Sequence, residues 1–191
     1  MKKHQKEVLM DTLRQIFKLI NRFFMVPAYR MGLGWLIVNP ISGYIMVIKN
    51  IGHKSGKRYY TPANYAIIDG KVYCLAGFGR KSHWYLNLIA NPNTEVMLPG
   101  RTIWGKVEEV TDQEEALIAV KQVFRNAGVA GWMEGYNPRK APDERYHKTL
   151  KRAPVLRITP TGIGSGPMDA GGWHWIAWAA VTLILILVLA L

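Results

Sequence analysis

Two groups of cationic side chains are placed where they could do chemistry. Lys54, Lys57 and Arg58 lie in the stretch GHKSGKR, and Arg80 and Lys81 lie in FGRKSHW. The first group shares its loop with Gly52, Ser55 and Gly56, and such small residues let backbone N–H groups turn toward an anion without side-chain obstruction. The second directly precedes Ser82, a candidate N-cap for an apolar run holding Trp84, Tyr85, Leu88 and Ile89. The free N–H groups of a helix start add partial positive charge to cations beside them. Together these residues suit an elongated anionic ligand with an aromatic end. The plainer alternative is a solvated basic loop next to an ordinary helix cap, and charge alone does not choose between them.

Bringing the two groups together needs a chain reversal, and Asp69-Gly70 is a strong two-residue hairpin signal. It joins strand-like runs at Tyr59–Ile68 and Lys71–Phe78, so that both cationic groups are expected to face one pocket. Upstream, the uncharged run Met31–Ile48 is interrupted by Gly32, Gly34, Asn39-Pro40 and Gly43, which excludes a membrane span and leaves a buried strand at Tyr44–Ile51. Downstream, Asn91-Pro92 stops the helix that starts at Ser82. A second hairpin, Thr94–Leu98 with Thr102–Val110, turns at Pro99-Gly100. Thr111 with Glu114 reads as a capping box opening a helix to about Asn126. Gly128–Lys151 lacks clear periodicity apart from a short helical stretch at Pro142–Leu150, and Pro154–Pro160 is a last strand. Six short strands with helices inserted between them predict an α+β fold built on an antiparallel barrel or sheet, not a βαβ fold.

The chain has 191 residues, enough for one ordinary domain plus an appendage. Its 25 Lys and Arg against 13 Asp and Glu leave a formal net charge of +12, which suits a polyanion or an anionic surface. Zinc-finger spacing, an RNA-binding aromatic strand signature and a long basic helix are all missing, which argues against nucleic acid. A single cysteine, Cys74, rules out an intramolecular disulfide and reads as a small core residue. The five histidines, at 4, 53, 83, 147 and 174, form no metal-ligand spacing.

Both ends of the chain point to lipid. Residues 1–33 contain an amphipathic helix over 5–30, with Leu9, Leu13, Ile16, Phe17, Ile20, Phe23 and Phe24 on one side. That helix packs on the domain or lies in a membrane plane. Residues 34–160 form the main domain, and 161–172 (TGIGSGPMDAGG) form a glycine-rich linker. Residues 173–191 contain no Lys, Arg, Asp or Glu. As a helix they extend about 28 Å, close to a bilayer's hydrocarbon core, with Trp173, Trp175 and Trp178 at one end. The expectation is a C-terminal transmembrane anchor that holds a cytoplasmic domain at the cell membrane.

The motifs GHKSGKR (52–58), Thr61-Pro62, Asp69-Gly70 and WYLNLIANP (84–92) resemble, in this order, the deazaflavin-dependent nitroreductase and quinone reductase family. The resemblance runs from about Arg22 to Pro160. It implies a split β-barrel related to flavin-binding barrels, coenzyme F420 as hydride donor, and a quinone, nitro-compound or similar acceptor. Dimers are common among related barrels. By position, the resemblance places His53, Lys54 and Ser55 at the coenzyme's phosphate and tail, with Lys57 and Arg58 beside them. Tyr59, Tyr60, Thr61, Pro62, Ala63 and Asn64 would follow its ribityl chain and ring. Leu75, Ala76, Gly77 and Phe78 would meet the deazaflavin, and His83, Trp84, Tyr85, Leu86 and Asn87 would close the pocket.

Three positions depart from the family pattern. His53 stands where arginine is usual, Arg58 comes one place early, and Ala76-Gly77-Phe78-Gly79 replaces a Ser-Lys-Gly-Gly stretch, losing one basic contact that Arg80 or Lys81 could replace. Because the cofactor carries the hydride chemistry, the protein's task is placement and exclusion of water. Tyr136 is the candidate proton donor to the acceptor, and Trp132 a stacking wall for a flat substrate. Plain packing over the barrel mouth is the simpler account of both. The membrane-facing ends suggest a membrane-dissolved quinone. Two other readings stand beside this one: a non-catalytic, membrane-tethered deazaflavin- or lipid-binding module, and an FMN-dependent oxidoreductase on the same barrel.

Overall fold

Six strands close into a barrel in the order β1-β2-β3-β6-β5-β4, and every neighbouring pair runs antiparallel. The computed structural model describes residues 15, 19–39, 41–128, 131, 141–164, 166 and 174–190. The strands are β1 (Ile45–Ile51), β2 (Arg58–Ile68), β3 (Lys71–Leu75), β4 (Asn93–Leu98), β5 (Arg101–Glu109) and β6 (Val155–Ile163). A π-helical turn at Asn21–Met25 leads into the helices α1 (Val26–Arg30) and α2 (Gly34–Ile37). Later helices are α3 (His83–Ala90), α4 (Gln113–Asn126), α5 (Asp143–Arg152) and α6 (His174–Ala190).

Closure comes from β1, which pairs β2 along one edge and β4 along the other through Val47↔Met97, Ile48↔Val96 and Lys49↔Glu95. Closing a sheet removes the unpaired edges on which other chains could template. Asp69 (φ 48°) and Gly70 (φ 74°) both take left-handed geometry at the β2–β3 turn, as a tight primed hairpin requires.

Alternation along the strands sorts side chains into a barrel interior and an outer face. Met46, Ile48, Tyr65, Val72, Cys74, Val96, Leu156 and Ile158 fill the interior, and α3 adds Tyr85 and Leu88 to the same cluster. On the outside, α4 and α5 bury Val120, Phe124 and Tyr146 against Ala66, Tyr73 and Val155. Tyr29 of α1 covers Val47 and Met97. With both faces covered, Met46 to Asn50 are all buried, which is why β1 opens on the apolar run Ile45–Ile48, and why Lys49 and Asn50 after it need polar partners.

Several sequence expectations change in detail. β3 stops at Leu75, because Ala76–Gly79 turns, with Gly79 (φ 75°) donating its N–H to the Ala76 carbonyl at 2.7 Å. β6 runs on to Ile163, so the first three residues of the expected linker belong to the sheet. The Gly164 N–H then donates to the Thr102 carbonyl, and the Thr102 hydroxyl donates to the Gly166 carbonyl. The cap of α4 is Asp112, not Thr111, since its carboxylate accepts the Glu115 N–H at 2.7 Å. Of the expected N-terminal helix, the described part buries Met25, Ala28 and Tyr29 and leaves Phe23 and Phe24 exposed. Among the described residues no helix is long and apolar enough to cross a membrane, so the expected span at 173–191 is not seen as such. α6 has 17 residues there, and its described side chains, Ala179 to Ala190, are exposed.

Candidate active site

The 52–57 loop between β1 and β2 is wound tightly on itself. The Gly52 N–H donates to the Lys57 carbonyl and the Gly56 N–H to the Gly52 carbonyl, each at 2.8 Å. Ser55 Oγ accepts the Lys57 N–H at 3.3 Å and lies 3.2 Å from the Tyr59 hydroxyl. A Cβ on Gly52 would collide with Ser55 Oγ and stand 2.7 Å from the Tyr59 ring, so a larger residue would have to displace both side chains. The N–H groups of Lys54 and Ser55 make no hydrogen bond among the described residues, while Lys54, Lys57 and Arg58 expose their side chains. Two free amides and three cations on one short loop form an anion-binding surface.

A chain of four polar side chains fastens this loop to the barrel. Asn87 of α3, 5 % exposed, accepts at Oδ1 from the His53 backbone N–H (3.0 Å) and lies 2.7 Å from His53 Nδ1. Its Nδ2 donates to Asn50 Oδ1 at 2.8 Å, and Asn50 Nδ2 donates to Thr61 Oγ1 at 2.9 Å. The structure therefore brings together three of the expected site residues, His53, Thr61 and Asn87, through a fourth that sequence reasoning missed. The only signal for Asn50 was its place beside Lys49 as a second polar residue in a mostly apolar strand.

The run Tyr59–Asn64 divides between two faces. Tyr59, Thr61 and Ala63 sit opposite Asn50, Ile48 and Met46 and share the interior face. Tyr60, Pro62 and Asn64 point outward. Tyr60 lies under the Arg30 guanidinium, 4.8 Å from its ring centre, and Asn64 Nδ2 donates to the Tyr44 carbonyl at 3.3 Å. Ala76 is fully buried in the barrel core and Leu75 packs toward α4, which leaves Gly77 and Phe78 as the exposed members of that group. In α3, His83 and Leu86 are exposed, while Trp84 packs on the core and Tyr85 is buried.

The second cationic group is placed differently from expectation. Arg80 binds the carboxylate of Glu109 through Nε, at 3.1 and 3.3 Å, and through Nη2, and the Tyr85 hydroxyl donates to the same carboxylate. Burial pushes the Glu109 pKa up, but the hydrogen bonds from Arg80 and Tyr85 outweigh it and hold the carboxyl below its ordinary 4.5. Arg80 lines a cleft of about 400 Å³ with Glu109, Gln113, His147 and Lys151, and no residue of the 52–58 loop lines it. In this cleft Arg80 thus faces α4 and α5 and not the 52–58 loop. Its charge is matched by Glu109 in an ion pair that leaves the Arg80 side chain about half exposed. Ser82 occupies the N-cap position of α3 but turns its hydroxyl back to the Gly79 carbonyl (2.7 Å), leaving the helix start uncapped by it.

Trp132 and Tyr136 lie outside the described residues. Burial raises the Cys74 thiol to about 12, so it is no nucleophile. Among the described residues no group of three or more His, Cys, Asp or Glu could hold a metal ion. Sequence reasoning also missed a buried ion pair on the outer face, Lys49 Nζ to Glu95 Oε2 at 2.6 Å.

The family described as F420H(2)-dependent quinone reductase matches residues 24–142, more than half of the chain. The protein belongs to that family. It is an oxidoreductase of the F420H2-dependent class, with the barrel this assignment led one to expect. No curated protein matches the chain. Among solved structures, it is similar to an F420-H2 dependent reductase at 24 % identity and TM-score 0.39, over 60 % of this chain and 92 % of that one. A conserved hypothetical protein from Mycobacterium tuberculosis matches at 19 % identity and TM-score 0.46, over 62 % and 74 %. A pyridoxamine 5'-phosphate oxidase-like protein from Listeria innocua matches at 12 % and 0.44, over 63 % and 86 %. All three TM-scores are below 0.5, and the family assignment rests on the family match.

Proposed function

We propose that this F420H2-dependent reductase grips the anionic tail of the reduced coenzyme with the 52–58 loop and reduces a quinone held at the same end of the barrel. The observation that carries the reading is the loop itself: free Lys54 and Ser55 amides beside the exposed Lys54, Lys57 and Arg58 side chains. These donors suit phosphate and carboxylate groups, and Gly52 and Gly56 let the backbone come close to them. Tyr59 and Thr61, on the interior face, would follow the ribityl chain, and the exposed Gly77 and Phe78 would meet the ring edge. The bound coenzyme supplies the hydride. The chain's own residues bind it, orient it, and keep water from the transfer. Tyr136 is proposed as the hydroxyl that protonates the reduced acceptor oxygen, and Trp132 as a flat wall against the acceptor. Both assignments come from sequence.

The test compares the purified protein with reduced deazaflavin and with reduced flavin mononucleotide, each with a short-chain quinone. Oxidation of the deazaflavin alone supports the reading. Turnover with the flavin alone moves the protein to the FMN alternative.

The reading extends to lipid. Phe23 (69 % exposed), Phe24 (60 %), Trp35 (60 %), Leu36 (57 %) and Ile41 (73 %) are exposed apolar side chains within twenty residues of the exposed Arg22, and α6 exposes uncharged side chains along its described length. Apolar residues with interspersed cations favour an anionic membrane, which would bring a membrane-dissolved quinone to the site. In flotation with vesicles containing anionic lipid, the full chain should rise with the vesicles, and a chain ending at Gly166 should rise less. If the full chain stays at the bottom, the membrane part of the reading is wrong.

A further inference from the structure

The direction of every hydrogen bond in the Thr61–Asn50–Asn87–His53 chain follows from one backbone group. The His53 backbone N–H can only donate, so the Asn87 atom 3.0 Å away is its Oδ1. The other amide atom of Asn87 is then Nδ2, a donor, and the Asn50 atom it meets at 2.8 Å must be Oδ1. That leaves Asn50 Nδ2 to donate to Thr61 Oγ1 at 2.9 Å, an orientation supported by its 3.4 Å approach to the Ile48 carbonyl. Two consequences appear at the ends of the chain. Thr61 Oγ1 is an acceptor within it, and its own hydrogen meets no acceptor among the described residues. His53 Nδ1, 2.7 Å from an acceptor oxygen, must carry a hydrogen, which leaves Nε2 as the outward ring atom.

We infer that Asn50 is a positioning residue for coenzyme binding: its buried amide turns the Thr61 hydroxyl hydrogen outward to a ligand acceptor while anchoring, through Asn87, the loop that carries the cationic groups. The inference rests on the proposed coenzyme site and adds to it a residue with no ligand contact of its own. Asn50 is 1 % exposed and cannot touch a ligand directly, whereas Thr61 is half-buried and His53 exposed. A buried amide suits this role because it has a donor end and an acceptor end that cannot be exchanged without leaving two like groups face to face. The ligand chemistry selected at Thr61 is a hydrogen-bond acceptor, such as a ribityl or phosphate oxygen.

The closing experiment uses Asn50→Asp, which keeps the size but presents only acceptors. The Thr61 hydroxyl would then donate inward and lose its outward hydrogen, while the bond from Asn87 Nδ2 is kept. Affinity for oxidised deazaflavin is read by fluorescence titration for the wild type, Asn50→Asp, Thr61→Val, Thr61→Ser and the double variant Asn50→Asp/Thr61→Val. Asn50→Asp and Thr61→Val are each expected to weaken binding about tenfold, the double variant no further, and Thr61→Ser little. A purely structural role for Asn50 gives effects that multiply, or a lower melting temperature with unchanged affinity, and either result overturns the inference. If Asn50→Asp does not fold, the two Thr61 variants decide: Thr61→Val about tenfold weaker with Thr61→Ser unchanged supports the inference, and Thr61→Val binding as tightly as the wild type overturns it. Wild-type protein that binds no deazaflavin overturns the coenzyme reading and the inference with it. Wild-type binding with multiplying effects overturns the inference alone.

Discussion

Asn87 Oδ1 accepts two hydrogen bonds from His53, one from its backbone and one from its ring, so a single amide oxygen on α3 holds the cation-bearing loop against the barrel. Replacing Asn87 with alanine removes both and leaves Asn50 Oδ1 buried without its donor. Losing a buried network member of this kind costs about 2–3 kcal/mol. Urea unfolding of Asn87→Ala should show that loss, together with weaker deazaflavin binding as the loop is released.

Lys54 and Arg80 separate the loop from the second cationic group. Lys54→Ala should weaken deazaflavin binding by about 1–3 kcal/mol, the worth of a charge-assisted contact, at little cost in stability. Raising the salt concentration should narrow its difference from the wild type. Arg80→Ala should leave the affinity unchanged, because its guanidinium is already matched by Glu109. Equal losses for both variants would restore the single shared pocket.

Two glycines make opposite predictions. Gly52→Ala forces a Cβ into Ser55 Oγ and to 2.7 Å from the Tyr59 ring, and overpacking of this kind costs about 1–3 kcal/mol. Gly77→Ala meets nothing within 4 Å and should change stability by less than about 0.5 kcal/mol. Thermal melting of the two variants side by side checks both.

Acid should destabilise the fold through its paired carboxylates. The Tyr73 hydroxyl and, after it, Arg157 hydrogen-bond Glu115, and its pKa lies below the ordinary 4.5; Glu109 is lowered as well. A carboxyl whose folded pKa is depressed adds stability above its unfolded pKa and loses it as pH falls through the folded value. The unfolding midpoint should therefore drop as pH falls below about 4.5, and Glu115→Gln should flatten that decline. A decline of the same steepness in Glu115→Gln would show that its pairing contributes nothing.

Much of the barrel could be read from local pattern. Asp69-Gly70 and Pro99-Gly100 mark turns because few residues tolerate the left-handed geometry found at Asp69, Gly70 and Gly100. Alternating and continuous apolar runs located all six strands to within a few residues, and the capping signal at Thr111 with Glu114 placed the helix that became α4. Misplaced boundaries came from competition among neighbouring groups: Asp112 took the cap from Thr111, and Gly79 ended β3 early.

By itself the sequence determined which segments become strands, where they turn, and that the 52–58 loop is cationic and holds small residues between its cations. Those are properties of residues close together along the chain. Only the tertiary structure decided that β1 closes on β4, that Glu109 claims Arg80 from 29 positions away, and that Asn50 and Asn87, 37 apart, lock into one directed polar chain. Such pairings depend on register and on which donor lies nearest once the barrel has closed, and no periodicity in the sequence records either.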